Sequence, residues 1–220
     1  MADQPRRRRV LPIAIGAAVL VAGAGGGLWY LKPWQSAEVP QGACWNAFTH
    51  DDLAALTGPD GKTAAFQGKE TFADIDVRAG DPACTVTRKH GGTSEVLADI
   101  STSRRDEKFR QAKTKAEAAG WQPVVPASLD FGPGAQGWLF HEGTVQLLLH
   151  CEYVEADGRP TSFPYRLVTI TGSRGSTDIP VTEVHRIRID AALRVAKESV
   201  RAQGCTNAPQ LAAQAPAAPF

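Results

Sequence analysis

The chain lacks an excess of charge of either sign. Its 220 residues carry 24 Lys and Arg and 23 Asp and Glu, a formal net charge of +1. From Lys32 onward there are 20 basic and 22 acidic residues. Nucleic-acid-binding domains concentrate basic charge on one face, so this near-balance excludes nucleic acid as the expected partner.

The chain also lacks the short motifs that mark common catalytic sites. The patterns GxSxG, HExxH and SxxK are all missing. One GxGxxG match, GPGAQG at residues 132–137, precedes an expected strand where a dinucleotide fingerprint needs a helix. The four remaining histidines after His50 are scattered. The sequence therefore predicts a protein that is not an enzyme and holds no cofactor or metal.

One uncharged run dominates the N-terminal region. Residues 10–31 are 22 residues without a charge, and four arginines at 6–9 precede them. A helix of that length measures about 33 Å and crosses a bilayer core. The arginines favour the cytoplasmic side, and Trp29, Tyr30 and Trp34 suit the opposite interface. We predict a cytoplasmic N-terminus (1–9), a signal-anchor spanning the cell membrane (10–31), a spacer (32–43) and an extracellular domain.

Three other interpretations of this segment stay open. A cleaved signal peptide would be cut among the small residues at 22–27, which leaves an apolar new terminus at Leu28. A twin-arginine signal fits the RRRVL stretch loosely. A lipoprotein would need a lipidated Cys44, which lies 13 residues past the span and lacks a small-apolar context.

The four cysteines Cys44, Cys84, Cys151 and Cys205 all follow the span, and no two have CxxC spacing. Outside the membrane such cysteines form disulfides. Three pairings are possible, and we expect Cys44–Cys84 with Cys151–Cys205, each closing a loop of about 40–55 residues.

The stretch CWNAFTHDD, residues 44–52, places a thiol, an imidazole and two carboxylates close together. Thr49 as N-cap with Asp52 three residues later forms a capping box, and Phe48 and Leu53 have the hydrophobic-staple spacing. Gly58 ends the predicted helix. We interpret the cluster as a helix start, not as a metal or catalytic site.

The rest of the chain alternates strand and helix patterns. After a polar stretch to about Lys69, strands are predicted over 72–80, 83–92 and 94–103. Ser103 and Asp106 predict a capped helix over about 104–119 that buries Phe109 and Ala112, with a solvated Arg/Lys face. A two-residue Glu142–Gly143 turn predicts a hairpin that pairs Phe140 with Val145 and Trp138 with Leu147, and that turns these side chains to the core side of the sheet.

Another strand at 165–172 follows, and then a long helix from about Pro180 to Gln203 with Gly204 as its cap. These elements predict an α+β fold over residues 44–206, an antiparallel sheet with helices packed on one face. The Ala/Pro-rich tail at 207–220 is expected to be disordered. Between the last strand and the long helix, the loop GSRGSTD is the expected ligand contact through Ser173, Arg174 and Ser176.

The first half resembles a family of actinobacterial secreted proteins and lipoproteins of unknown function. In that family a Cys precedes a Leu-Thr-x-x-Asp-Leu helix that ends in Gly, and a second Cys opens a later strand. The residues that match this pattern are Cys44, Thr49, Asp52, Leu53, Gly58 and Cys84. The resemblance covers residues 42–171 and implies an exported fold without naming an activity.

Taken together, these features predict a membrane-anchored extracytoplasmic binding or accessory module. Its expected partners are the bilayer and either an envelope protein or a small ligand. An envelope hydrolase and a structural subunit of a membrane complex are the alternatives.

Overall fold

The computed structural model describes residues 39–58, 61–67, 82–90, 92–118, 126–155, 157–176 and 178–220. Within them the chain forms an α+β fold with three helices, a two-stranded ribbon and a seven-stranded sheet. The strands are β1 (Gly42–Ala43), β2 (Phe48–Thr49), β3 (Lys62–Gln67), β4 (Ala83–His90), β5 (Thr93–Arg105), β6 (Ala127–Asp130), β7 (Ala135–Leu139), β8 (Val145–His150) and β9 (Tyr165–Thr171). The helices are α1 (His50–Thr57), α2 (Glu107–Ala118) and α3 (Val181–Gln203).

The predicted membrane span and the strand predicted at 72–80 lie outside the described residues. No helix of the described part is long and apolar enough to cross a membrane.

The large sheet has the strand order β3-β4-β5-β9-β8-β7-β6, and every neighbouring pair is antiparallel. Between β4 and β5 the register shifts after Val86, which leaves Leu97 as an extra residue on β5. Leu97 and its neighbour Ala98 are both fully buried. A bulge of this kind lets two successive side chains point towards one core.

The main core lies between one face of this sheet and the helices α1 and α3. It takes alternate residues of each central strand, such as Val145, Leu147 and Leu149 of β8. From α3 it takes the stripe that the 3.6-residue period predicts. The buried residues of that stripe include Val184, Ile187, Ala191 and Val195.

Helix α2 lies on the opposite face, so the prediction that all helices share one face is wrong. Phe109 of α2 packs against a second cluster formed by Trp138, Leu148 and Leu167. Leu148 lies between two core residues on β8, and successive strand residues point to opposite faces. The strands β7, β8 and β9 therefore have apolar residues on both faces, which the alternation of a one-sided sheet does not predict.

The predicted corner at residues 44–58 is confirmed. Thr49 caps α1, its hydroxyl accepts from the backbone N of Asp52 at 3.2 Å, and Asp52 Oδ2 accepts from the backbone N of Thr49 at 3.0 Å. The first disulfide, Cys44–Cys84, ties this corner to β4 with a Cα–Cα distance of 5.5 Å. The second, Cys151–Cys205, ties the segment after β8 to the end of α3. Both pairings are the predicted ones.

The start of α2 differs from its prediction. Asp106 alone caps the helix, since the backbone N of Phe109 donates to Asp106 Oδ1 at 2.9 Å. Ser103 lies inside β5, opposite Leu167. Ala112 is exposed, although it was predicted to be buried. Strand β5 extends two residues further than its apolar alternation suggests, because its partner strand β9 pairs with it as far as Tyr165.

The β7–β8 hairpin is shifted by one residue from the predicted register. Leu139 pairs with Val145. The backbone N of Phe140 donates to Thr144 O at 2.9 Å, and that of Gly143 donates to Phe140 O at 2.8 Å. Gly143 has a positive φ of 80°, so the turn is a three-residue loop with glycine in the left-handed position. The shift moves Leu139 to the main core and leaves Trp138 and Phe140 beside α2.

Two other segments depart from their predictions. Residues 62–67 form the edge strand β3, where the sequence predicted only a polar stretch. Residues 207–220, predicted to be disordered, lie against the domain, where Leu211, Ala215 and Ala218 pack on the main core. Their small apolar side chains fit a groove beside α3, a tertiary effect that composition does not predict.

Candidate interaction surface

The predicted ligand residues Ser173, Arg174 and Ser176 lie together in the loop that follows β9. Arg174 and the backbone N–H groups of both serines donate to backbone oxygens of the fold. Arg174 donates from Nε and Nη2 to Ile179 O at 3.2 and 2.8 Å. The backbone N of Ser173 donates to Val96 O at 2.9 Å, and that of Ser176 donates to Leu56 O at 3.0 Å. These bonds fasten the loop to β5 and α1.

A cavity of about 470 Å³ lies beside this loop. Ser176, Asp178 and Ile179 form one wall, and Ala54 and Ala55 of α1 form another. The wall is mostly apolar, as in many small-ligand sites. Of the three predicted residues, only Ser176 lines this cavity.

A different surface surrounds α2. We define the α2 face as the basic residues Arg105, Lys108, Arg110 and Lys113 with the rings of Phe109, Trp138, Phe140 and Tyr165. Three strands contribute to it, since Arg105 ends β5, Trp138 lies on β7 and Tyr165 opens β9. The antiparallel order β5-β9-β8-β7 brings these positions under one helix. Residues up to 60 positions apart in the chain therefore form one surface patch.

Cations of the α2 face lie over its rings. The ammonium of Lys113 is 4.6 Å from the Trp138 ring centre and 5.2 Å from that of Phe140. The guanidinium of Arg105 is 4.9 Å from the Phe109 ring centre. That of Arg110 is 5.9 Å from the ring centre of Tyr165. Each pair is within the range of a cation–π interaction, which fixes long side chains at low entropy cost.

A hydrogen-bonded group joins α2 to β9. The hydroxyl of Tyr165 donates to Glu107 Oε2 at 2.7 Å, and Arg110 Nε donates to Glu107 Oε1 at 2.9 Å. The bonds from Arg110 and Tyr165 lower the pKa of Glu107 to about 2. Burial, together with the bond to Glu107, raises the pKa of Tyr165 to about 12. At neutral pH the group is therefore a carboxylate between a cation and a neutral phenol.

The charge balance of the α2 face is positive. Residues 105–113 contain four basic and two acidic side chains. Of the two acids, Asp106 caps the helix and Glu107 is held by Arg110 and Tyr165. Lys108 is exposed, and Arg105, Arg110 and Lys113 are half-buried. The face thus combines a positive rim with three half-buried rings, those of Phe109, Phe140 and Tyr165, around the buried Trp138.

Sequence reasoning interpreted the same lysines and arginines as a solvated helix face. It missed the rings beneath them, because the hairpin register placed Trp138 and Phe140 in the main core. The available signal was the density of apolar residues on β8, where Leu147, Leu148 and Leu149 are consecutive. Such a run indicates a strand that is covered on both faces.

Other titratable side chains form smaller groups. His150 Nε2 lies 3.2 Å from Glu152 Oε1, and its ring stacks on Tyr165 at 4.9 Å. Among the described residues, no three His, Cys, Asp or Glu side chains come together as a metal site would require.

No protein-family model, curated protein or solved structure matches this chain.

Proposed function

We propose that this protein is a membrane-anchored, extracytoplasmic binding module that contacts an acidic region of an envelope protein through the α2 face. The anchor is the uncharged segment at residues 10–31. The two disulfides support an oxidising compartment, in agreement with the direction in which the arginines at 6–9 orient that segment.

The observation that carries the proposal is the set of cations held over rings. Protein interfaces are enriched in aromatic residues and Arg, and their strongest contacts are large rings surrounded by polar groups. The α2 face has this composition, with Lys113 over the buried Trp138, Arg105 over Phe109 and Arg110 over Tyr165. Ring stacking also pre-orders these cations, which lowers the entropy cost of binding.

The net positive charge selects the partner. An acidic patch complements four basic side chains and is attracted before contact. The partly exposed rings of Phe109, Phe140 and Tyr165 favour a folded protein surface over a small anion, since a small anion would contact the cations and leave these rings uncovered.

The experiment reverses charge at two places in full-length protein. Lys108→Glu/Lys113→Glu alters the α2 face, and Arg159→Glu/Arg201→Glu is the matched control at two exposed arginines outside it. Each variant is crosslinked in cells, purified and compared with wild type.

We expect at least a tenfold loss of the crosslinked partner with the first double variant and no loss with the control. Equal retention by both variants rejects the α2 face. Equal loss from both indicates non-specific charge attraction and also rejects it. Replacing residues 10–31 by an unrelated span, with partner retention, separates recognition by the domain from recognition by the anchor.

A second candidate function is small-ligand binding in the cavity beside Ser176. The observation that favours it is the mostly apolar wall formed by α1 and Ile179. Ala55→Trp fills that cavity without altering the α2 face. If the partner is retained by Ala55→Trp and lost from Lys108→Glu/Lys113→Glu, the α2 face is the site.

A further inference from the structure

Residues 207–220, here called the strap, run back along α3 after its last turn. The side chain of Asn207 fixes the start of the strap, with Oδ1 accepting from the backbone N of Glu152 and Nδ2 donating to His150 O, both at 3.0 Å. The Cys151–Cys205 disulfide lies two residues earlier. The strap therefore leaves the fold from a fixed point.

The strap lies in a groove between α3 and the segment that precedes β7. At its middle, the backbone N of Ala212 donates to Phe131 O at 2.8 Å, and Lys197 Nζ donates to Ala213 O at 2.9 Å. Gly132 makes room for it. A Cβ at Gly132 would come within 2.6 Å of Gln210 O and 2.8 Å of Ala212 N.

Phe220 occupies the far end of the groove. Its ring stacks on His141 with 4.8 Å between ring centres and meets His185 edge-on at 5.7 Å. The oxygen of Phe220 lies 2.7 Å from His185 Nδ1. Strap and groove thus meet at both ends and in the middle.

The chemistry of the strap is that of a docked peptide. Its 14 residues include six Ala and three Pro, carry no charge and form neither helix nor strand. Leu211, Ala215 and Ala218 supply the apolar contacts. A cavity of about 500 Å³ remains between the strap at 213–217 and the polar side of α3. Extended Ala/Pro segments bind grooves in this way, with few backbone bonds and little ordering cost.

The backbone turns sharply at Ala208, just before the docked part. Ala208 has a positive φ of 41°, which is costly for a residue other than glycine. A change at this residue redirects everything after it while the disulfide at Cys205 stays in place. The strap and groove of one copy carry the same contacts as those of another copy, and exchange of an identical element is a low-cost route to association.

We propose that the groove along α3 also binds the strap of a second copy, so that two copies associate by exchanging residues 207–220. Entropy favours a groove that binds its own strap over one that binds the strap of another copy. For copies held in one membrane, the raised local concentration offsets this difference. This association is independent of the α2 face.

The test uses two full-length variants, and neither of them can place its own strap in its own groove. The donor copy has Gly132→Ala, which obstructs its own groove, and a photoreactive residue in place of the exposed Gln214. The acceptor copy has Leu211→Asp/Ala215→Asp, which disables its own strap and leaves its groove intact. A crosslink within one copy runs as a monomer, and a crosslink between copies runs as a dimer.

We expect the mixture of donor and acceptor to give at least fivefold more crosslinked dimer than donor alone. Mass spectrometry should place the crosslink between position 214 of the donor and α3 of the acceptor. No increase over donor alone overturns the proposal.

A second arm removes the dependence on Gly132→Ala. A donor with glycine at 132 and the photoreactive residue at 214 is mixed with excess acceptor. We expect a dimer here too, in smaller yield because the donor's own groove competes. If only monomer crosslinks are found at every acceptor concentration, strap exchange is overturned. This outcome does not depend on whether the Gly132→Ala copy folds.

Discussion

Gly143 and Arg188 meet inside the protein. Arg188 Nη1 donates to Gly143 O at 2.9 Å, and Nη2 donates to Ser173 O. Only 2 % of Arg188 is exposed, and burial lowers the pKa of its guanidinium. One buried cation on α3 therefore joins the β7–β8 turn to the loop after β9, using backbone oxygens in place of a carboxylate.

Gly143→Ala is expected to destabilise the protein by about 2–4 kcal/mol, because it adds strain and a clash. At φ +80° a new Cβ would lie 2.7 Å from Arg188 Nη1 and 3.1 Å from His185 Nε2. Gly158→Ala is the matched control, since Gly158 has φ +81° and no atom within 4 Å of a new Cβ. It should cost about 1 kcal/mol from backbone strain alone. Urea unfolding of both variants measures the difference, and equal losses would contradict a tight fit around Arg188.

Asp52→Asn should remove an acid-sensitive part of the stability. Burial raises the pKa of Asp52, but hydrogen bonds from Arg194 and Thr49 outweigh it and hold the pKa below 3.8. Since the folded-state pKa is depressed, this stabilisation is present above pH 3.8 and is lost as pH falls through the folded-state pKa. Arg194 Nη1 donates to Asp52 Oδ2 at 2.6 Å and so links α3 to α1.

At pH 7 the Asp52→Asn variant should be about 1–3 kcal/mol less stable than wild type, through the weakened cap and ion pair. Denaturant unfolding between pH 7 and pH 2 should show that this difference in the free energy of unfolding between wild type and variant narrows below pH 3.8. Asp51→Asn, at the exposed neighbour, is the control and should leave wild-type behaviour intact. If the difference in stability between wild type and Asp52→Asn stays constant down to pH 2, the charge of Asp52 is not its cause.

Removing either disulfide should lower the free energy of unfolding by about 3–4 kcal/mol, since the closed loops of 40 and 54 residues are similar in length. The local effects should differ. Cys151→Ser/Cys205→Ser should raise amide exchange in the strap, because Cys205 fixes its start. Cys44→Ser/Cys84→Ser should raise exchange in α1 instead. Increased strap exchange in both variants would show that the strap is not held through Cys205.

Local signals in the sequence predicted the features that depend on near neighbours. The Thr49–Asp52 box and the Gly204 cap of α3 follow from local spacing. Both disulfide pairings span longer loops, of 40 and 54 residues, and were predicted from the positions of the four cysteines along the chain. The single-residue error at the β7–β8 turn had a larger effect, because in a strand a shift of one residue reverses which side chains face the core. It concealed the α2 face by assigning Trp138 to the wrong side of the sheet.

The strap shows a second limit of sequence reasoning. Its Ala/Pro composition is shared with disordered segments, and only the shape of the groove distinguishes the two cases. The space that Gly132 leaves for Gln210 and Ala212 is a tertiary feature 78 residues distant along the chain. No window of the sequence contains both halves of that contact.

The α2 face is tested most directly by a photoreactive residue placed at the exposed Gln111 of α2 in the full-length, membrane-bound protein. The same residue at Arg201, at the far end of α3, is the control. We expect position 111 to capture one specific crosslinked protein, and we expect this capture to be lost in the Lys108→Glu/Lys113→Glu variant. Position 201 should capture none. A partner captured from position 201 alone, or one whose capture from position 111 survives the charge reversal, would contradict this account.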